Sequence, residues 1–348
     1  MRSCERRAEM RLILHAGTHK TGTTTVQEVL AANRSWLRTR GVVFPALPGC
    51  SDSHNDFAHR LALADASGLR GLREQLRSVA EPDATLILSA EEFSARILGE
   101  RHWEGFDRPD YWQRRRAYLV RLREIASGLG PPELLICYRR ADQYAASLYA
   151  TNLLSDRFRW SFAEFLTRCA PLFDFSAQLA LIREVFPGAR ASPFDTLRPD
   201  LVPRFCAWAG LPVPPGTGRH SKITPDARVI AWLHARRAAG GPERQQARAT
   251  EFARQPHASA PFRTAPRAWL WPSDAARRAF LASATEPEPG FFAAGAADAA
   301  PARCVTPQDL DAVEAAFAAW RRGALWRAVT PAALRRRIAR TGRLRGAT

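Results

Sequence analysis

Short apolar runs that alternate with longer helical segments are the feature that most restricts the fold of this 348-residue sequence. The runs are RLILH at 11–15, TLIL at 85–88 and LLICY at 134–138. The first precedes a segment, 23–40, whose apolar residues recur at helical spacing, and the third precedes a helical pattern over 141–154. Strands that alternate with helices predict an α/β fold, with a parallel sheet flanked by helices.

This alternation stops at the break GLPVPPGTG, which occupies residues 210–218. We therefore expect an α/β core over 11–211 and a mainly helical C-terminal part over 212–322, with loops rich in Pro, Ala and Gly. Residues 323–348 form a basic tail, because no acid follows Glu314 whereas nine arginines do.

The net charge of +17 favours an anionic partner: a nucleic acid, a membrane surface or a small phosphate-bearing ligand. No apolar run approaches the roughly 20 residues that span a bilayer. The N-terminal apolar run is too short for a signal peptide, so we expect a cytoplasmic protein. The six cysteines are scattered without a CxxC pair, which favours reduced thiols over disulfides or zinc ligands.

The stretch HAGTHKTGTTT at 15–25 follows the first predicted strand and leads into the first predicted helix. A strand, a glycine-containing loop and a helix N-terminus together bind phosphate, because unpaired N–H groups and the helix dipole point at the anion. The loop also holds one of only two lysines, whereas 49 of the 51 basic residues are arginine. The candidate ligands are Gly17, Lys20, Thr21, Gly22, Thr23 and Thr24.

The order of residues in this loop separates two kinds of phosphate chemistry. A loop for ATP or GTP reads GxxxxGK[ST], in which the lysine follows the second glycine and a hydroxyl holds magnesium. Here Lys20 precedes Gly22. A nucleotide kinase-like P-loop phosphotransferase is therefore the second enzymatic hypothesis and not the first.

The octapeptide KTGTTTVQ at 20–27 resembles the phosphosulfate-binding loop of the sulfotransferase family, whose pattern is close to PKTGTTSLQ. His19 stands where proline is common in that family. The resemblance implies a P-loop NTPase-like fold and a loop that holds the 5′-phosphosulfate of 3′-phosphoadenosine 5′-phosphosulfate (PAPS). It also implies that Lys20 assists the departure of the bridging oxygen and that no metal is required.

A second motif is similar to the part of the family that binds the 3′-phosphate of PAPS, an arginine after a strand and a serine eight residues later. LLICYRRADQYAASLY places Arg139 after the strand and Ser147 eight residues on, with Arg140 as an adjacent candidate. LILSAEEFS and ASPFDTLRPDLVPRFCAWAGL resemble further elements of the family. The resemblance thus extends over residues 11–211.

Sulfuryl transfer to a hydroxyl needs a group that accepts the proton of the nucleophile. Histidine serves in some branches of the family and glutamate in others. Two candidates remain open: His54, which follows the loop-like PALPGCSDS, and Glu91, which follows the TLIL strand.

The leading hypothesis is a PAPS-dependent sulfotransferase that acts on a hydroxyl or amine of a small-molecule or carbohydrate acceptor. A non-enzymatic alternative is a basic protein whose tail binds an anionic membrane surface; nucleic acid is not expected as the partner. A further alternative is a sulfotransferase-family member that binds the cofactor without catalysis. The region ASATEPEPGFF favours it, because this region lacks the Asn-containing helix that is frequent in bacterial members of the family.

Overall fold

The computed structural model describes residues 10–100, 105–155, 157, 159–216, 224–292 and 302–329. Lys222 and most of the basic tail, residues 330–348, lie outside the described residues. Within those ranges, every helix is too short or too polar to cross a lipid bilayer.

A parallel sheet forms the centre of the first part of the molecule. In the described residues its strands are β1 (Arg11–His15), β2 (Val42–Val43), β3 (Thr85–Ser89), β4 (Pro132–Tyr138) and β5 (Arg190–Pro193), in the order β2-β3-β1-β4-β5. The central strand β1 pairs with β3 and β4, so that Ile13 lies opposite Ile87 and Leu14 opposite Leu134. Because parallel strands end at one edge of a sheet, the segments that follow β1, β3, β4 and β5 meet at this carboxyl edge.

Helices cover both faces of this sheet, as the sequence predicts. Successive side chains of a strand point to opposite faces, and Leu12, Ile13 and Leu14 are all fully buried. The helices of the first part are α1 (Thr23–Ala32), α2 (Arg34–Arg38), α3 (Asn55–Leu63), α4 (Ala66–Val79), α5 (Glu92–Ala95), α6 (Tyr111–Ala126), α7 (Ala141–Leu154), α8 (Phe162–Arg168), α9 (Phe175–Val185), α10 (Phe194–Leu197) and α11 (Leu201–Ala209), with a 3-10 helix at Ala170–Phe173.

One face of the sheet packs on α1 and α11. Val29 and Leu30 of α1 and Phe205 of α11 join Ile13 and Ile87 in a single apolar cluster. Burying side chains of this size contributes about 1.5–3 kcal/mol each. The helix predicted over 23–40 is interrupted, because the Asn33 side chain donates to the Val29 carbonyl at 2.8 Å and α1 ends there.

The later elements are mainly helical, as predicted. They are α12 (Ala227–Ala238), α13 (Glu243–Ala253), α14 (Asp274–Ser283) and α15 (Pro307–Val329), a 3-10 helix at Pro256–Phe262, and the short parallel strands β6 (Ala268–Trp269) and β7 (Arg303–Cys304). Trp232, Phe252 and Phe317 pack with ring centroids 5.1–5.7 Å apart and form an aromatic core between α12, α13 and α15.

The chain divides into two compact units that alternate along the sequence. The first comprises residues 1–149, 162–223 and 275–299, and the second comprises 150–161, 224–274 and 300–348. The expected parts, 11–211 and 212–322, are continuous in sequence, whereas residues 150–161 belong to the second unit and residues 212–223 and 275–299 to the first.

Long-range contacts account for the placement of residues 275–299 and 150–161. In the first unit, Phe280 packs on Phe173 at 5.2 Å between ring centroids, and Thr285 donates to the Asp174 carboxylate. In the second unit, Arg237 donates to the Leu153 carbonyl at 2.6 Å. These partners are far apart in sequence, which is why composition alone placed the boundaries elsewhere.

Candidate functional site at the carboxyl edge of the sheet

The loop over residues 16–22 leaves the central strand at the carboxyl edge and leads directly into α1. The Ala16 amide donates to the Leu135 carbonyl at 2.8 Å and the Thr18 amide to the Cys137 carbonyl at 3.1 Å. These bonds continue the pairing between β1 and β4, so the start of the loop is fixed beside the end of β4.

Both glycines of this loop are required by its geometry. A Cβ atom at Gly17 would lie 2.8 Å from Thr23 Oγ1 and 2.9 Å from His15 Nε2, closer than real Cβ contacts allow. Gly22 has φ 73°, in the left-handed region, and a Cβ there would collide with the Leu201 side chain. The glycines that the sequence singled out therefore let the backbone pack closely and turn into α1.

Threonine hydroxyls hold the loop by hydrogen bonds to backbone carbonyls of the loop and of β4. Thr18 Oγ1 donates to the Cys137 carbonyl at 2.8 Å, and Thr21 Oγ1 donates to the Thr18 carbonyl at 2.6 Å. Thr21 Oγ1 also lies 3.3 Å from Thr23 Oγ1. Thr21 and Thr23 are buried, whereas Thr24 is half-buried in the first turn of α1. In the described structure Gly22 caps α1 without a side-chain hydrogen bond.

Lys20 occupies an unusual backbone position. Its φ is 71°, a left-handed conformation that side chains other than glycine and asparagine rarely adopt. Such a residue is held in place by its surroundings and is frequent at functional sites. The lysine is half-buried at the tip of the loop.

Arg139 is directed to the loop. It follows β4 at the carboxyl edge, and its Nη1 donates to the Lys20 carbonyl at 3.4 Å while Nε donates to Gln143 Oε1 at 3.2 Å. Ser147 lies on α7 and is buried. The structure thus brings Arg139 against the glycine loop.

The neighbouring Arg140 takes part in a different arrangement. Its Nε and Nη2 atoms donate to the two oxygens of Asp142 at 2.8 and 2.9 Å, and Arg277 Nη1 donates to the same carboxylate at 2.9 Å. Burial alone would raise the pKa of Asp142, but the two arginines outweigh it and hold the pKa below its ordinary value. Arg140 is therefore part of a structural ion cluster.

Sequence reasoning missed one cation at this edge. The Arg198 and Arg139 guanidinium groups lie 5.7 and 5.8 Å from the centroid of the same Phe194 ring. Phe194 directly follows β5, which neighbours β4 in the sheet. Only the adjacency of β4 and β5 brings Arg198 near Arg139, and no local motif marks it.

His54 is not placed to accept a proton from an acceptor. Its Nδ1 atom accepts a hydrogen bond from the Ser89 amide at 2.9 Å, and its Nε2 atom donates to the Pro45 carbonyl at 3.0 Å. Burial lowers its pKa to about 4, although these backbone bonds act in the opposite direction. We therefore replace the expectation of a catalytic His54 with a structural role, in which the imidazole joins the end of β3 to the 45–53 loop.

An acidic turn, which we define as residues 90–96, follows β3 at the same edge. Glu91 Oε2 lies 3.1 Å from His19 Nδ1, and Glu92 Oε2 accepts from Arg96 Nε at 2.6 Å. Glu92 Oε1 lies 3.8 Å from His19 Nε2 and 3.7 Å from His59 Nε2. Of the two predicted bases, the structure brings Glu91 to the glycine loop, through the residue that precedes Lys20.

The charge state of Glu92 is set by opposing effects. Burial would raise its pKa, but His19, Arg96 and His59 together outweigh burial, so the pKa lies below the ordinary value. Glu92 is therefore ionised at neutral pH and is enclosed by basic groups.

Buried polar contacts fix the acidic turn relative to the glycine loop. Gln27 Nε2 donates to the carbonyl and hydroxyl of Ser89 at 3.1 Å, and His15 Nδ1 lies 2.9 Å from Ser89 Oγ. Burial lowers the pKa of His15 to about 4, although the negative charge of Glu91 acts to raise it. His15 is thus a neutral structural residue below the loop.

His19, Glu91, Glu92 and His59 lie near one another at this edge, but within the described residues no group of three or more His, Cys, Asp or Glu side chains could hold a metal ion.

Comparison with known proteins finds one similar solved structure and no matching family. No known protein family matches the sequence, and no curated protein is significantly similar to it. The crystal structure of a sulfotransferase from Alicyclobacillus acidocaldarius is similar over 67% of this chain and 94% of that chain, with 16% sequence identity and a TM-score of 0.36. Similarity at this level does not assign a family.

Proposed function

We propose that this protein is a sulfotransferase that moves a sulfuryl group from PAPS to a hydroxyl or amine acceptor. One observation supports this most directly. The glycine loop, with Lys20 at its tip, lies at the carboxyl edge of the central strand, and Arg139 of the neighbouring strand donates to the Lys20 carbonyl. PAPS carries phosphate at two positions, and this edge carries cations on two adjacent strand ends.

Each residue in this proposal has a separate task. The loop amides and the N-terminus of α1 bind the 5′-phosphosulfate, and Thr23 and Thr24 lie in the first turn that faces it. Lys20 donates to the bridging oxygen, on which charge develops as the sulfur–oxygen bond breaks. Arg139 binds the 3′-phosphate by paired hydrogen bonds, with Ser147 as its partner on α7.

We propose a carbohydrate or another small molecule as the acceptor, with no metal in the reaction. Contact of the basic tail with an anionic membrane remains a separate proposal, which does not account for the geometry of the glycine loop. The expected compartment, the cytoplasm, also remains a proposal.

Ligand-dependent thermal unfolding tests the cofactor assignment. The purified protein is titrated with 3′-phosphoadenosine 5′-phosphate (PAP) and, separately, with Mg-ATP, and the melting temperature is recorded. A specific ligand at a hundred times its Kd stabilises the folded state by about 2.7 kcal/mol. We expect the full shift with PAP in the wild type and a much smaller shift in Lys20→Ala or Arg139→Ala.

The control variant is Arg123→Ala, which removes an exposed arginine from α6 and should respond to PAP as the wild type does. A shift with Mg-ATP alone would refute the sulfotransferase and favour the phosphotransferase. An equal PAP shift in all three variants would show that the anion binds elsewhere, for example on the basic tail.

A further inference from the structure

We propose that Glu91 accepts the proton of the acceptor and that His19 is the positioning residue that holds its carboxylate, an inference that rests on the function proposed above. The two side chains are 3.1 Å apart between Oε2 and Nδ1, across the ends of β1 and β3. His19 directly precedes Lys20. The pair therefore lies beside the lysine that faces the leaving oxygen.

The contacts of the other basic and acidic groups at this edge point to Glu91. His54 uses both ring nitrogens in bonds to the backbone. The Glu92 side chain is only 6% exposed and is bonded to Arg96, whereas the Glu91 side chain is 16% exposed.

The two ring nitrogens of His19 face carboxylates: Nδ1 faces Glu91 and Nε2 faces Glu92. Nδ1 is within hydrogen-bond distance of Glu91 Oε2 and orients that carboxylate, whereas Nε2 lies 3.8 Å from Glu92 Oε1, beyond that distance. Of the two carboxylates, Glu91 is therefore the one that His19 positions.

A buried arginine makes the acidic turn rigid. Arg115 of α6 is almost completely buried, and it donates to the Arg96 carbonyl through Nη1 and to the Phe93 carbonyl through Nη2, both at 2.7 Å. Proton transfer requires a base held at hydrogen-bond distance from its target, and such precision depends on locked supporting residues. The turn that carries Glu91 is locked in this way.

The proposed step transfers the sulfuryl group and removes one proton from the acceptor. The acceptor O–H bond breaks and its proton passes to the Glu91 carboxylate, while the acceptor oxygen forms a bond to the sulfur of PAPS. The bond from sulfur to the bridging phosphate oxygen breaks, and its electron pair remains on PAP, where Lys20 stabilises the charge. The products are a sulfated acceptor and PAP, and the proton leaves Glu91 to solvent.

The first experiment measures the release of PAP from PAPS, in buffer with water as acceptor and with added 4-nitrophenol. We expect Glu91→Gln to lose about 10²–10⁴-fold in turnover while it binds PAP as tightly as the wild type. Glu91→Asp keeps the charge on a shorter side chain and should retain part of the rate. The control is Glu74→Gln on α4, which removes an exposed carboxylate and should leave turnover unchanged.

A second experiment separates positioning from mere structural support, by means of the pH dependence of turnover. Removing the N–H donor in His19→Leu disfavours ionised Glu91, so the acidic limb of the profile should move to higher pH. Asparagine places an amide nitrogen near the position of Nδ1, so in His19→Asn the acidic limb should lie at the same pH as in the wild type. The titratable residues His15 and Glu92, which lie near Glu91 on the packed elements, are unchanged in both variants.

The outcomes distinguish this inference from the proposed function. If Glu91→Gln binds PAP and turns over like the wild type, Glu91 is not the base and the cofactor site stands. A wild type that binds PAP but releases none from PAPS with either acceptor also contradicts the inference, because a positioned base would activate water. If PAP does not bind at all, the proposed function itself fails.

Discussion

The glycine loop and the acidic turn lie side by side on neighbouring strands, yet they keep their shapes by different means. The loop is shaped by its own backbone, through two obligatory glycines and through threonine hydroxyls that donate to nearby carbonyls. The acidic turn is shaped by side chains from elsewhere, above all Arg115 and His19. Changes in the loop should therefore alter ligand binding, whereas changes beneath the turn should alter folding.

The strongest test of this contrast is Arg115→Met. The substitution removes both donors to the Phe93 and Arg96 carbonyls, and each buried carbonyl left without a partner costs about 1–3 kcal/mol. We expect the free energy of unfolding in urea to fall by about 2–5 kcal/mol. Arg123→Met, on the exposed side of the same helix, should change it by less than about 0.5 kcal/mol. Equal urea midpoints for the two variants would contradict the role given to Arg115.

The second test is acid titration, since buried histidines fix the ends of β1 and β3. His15 and His54 have pKa values of about 4 in the folded protein, whereas the ordinary value is 6.5. The unfolded chain therefore takes up protons first as the pH falls from 6.5 to 4, and stability declines across that window. Each histidine accounts for up to about 3 kcal/mol.

The variant His54→Gln isolates one of these groups. Its free energy of unfolding, measured between pH 7 and 4, should fall less steeply with pH than that of the wild type. An identical slope in the two proteins would mean that the pKa of His54 is the same in the folded and the unfolded chain, which would contradict the effect assigned to its burial.

The third test compares two adjacent arginines. Arg139→Ala should weaken PAP binding about 10–100-fold, because a charged hydrogen bond contributes about 1.5–3 kcal/mol, with little change in unfolding. Arg140→Ala should do the reverse, because Asp142 is buried and loses a bidentate partner. Calorimetric titration with PAP and urea unfolding of both variants would measure the two effects. If both variants lost PAP affinity and stability to the same extent, the contrast between Arg139 and Arg140 would be wrong.

The smallest expected effect is that of a single methyl group in the loop. Gly17→Ala places a Cβ within 3 Å of Thr23 Oγ1 and His15 Nε2, so the loop must shift by a few tenths of an ångström. We expect PAP affinity to fall several-fold at most by the loss of loop geometry. Gly188→Ala is the matched control, because its Cβ would meet nothing within 4 Å. Its affinity should equal that of the wild type; a larger loss there than at Gly17 would overturn this explanation.

Local patterns in the sequence predicted the parts of the molecule that depend on local geometry. The three longest strands of the sheet and the loop after β1 were read from apolar runs and from the positions of Gly17 and Gly22. The motif favoured Arg139, but the role of Arg140 could not be read in this way, because Arg277, which completes the cluster around Asp142, is 135 residues away.

The base was harder to identify for a related reason. A histidine in a loop-like segment is indistinguishable in sequence from one that is buried against a strand, and His54 is buried by contacts with Ser89 and Pro45. Glu91 lies beside His19 only because β1 and β3 are neighbours in the sheet. Such contacts between strand ends follow from the order of the strands, which the sequence did not specify.

The left-handed backbone of Lys20 has a consequence for any attempt to raise the thermal stability of this protein. A lysine in that conformation costs about 1 kcal/mol relative to glycine, which adopts it without a steric penalty. A screen that rewards only survival at high temperature would therefore favour Lys20→Gly or Lys20→Asn. Thermal selection would remove the cation at the tip of the loop early, so stabilised variants should be sequenced at this codon before their activity is compared.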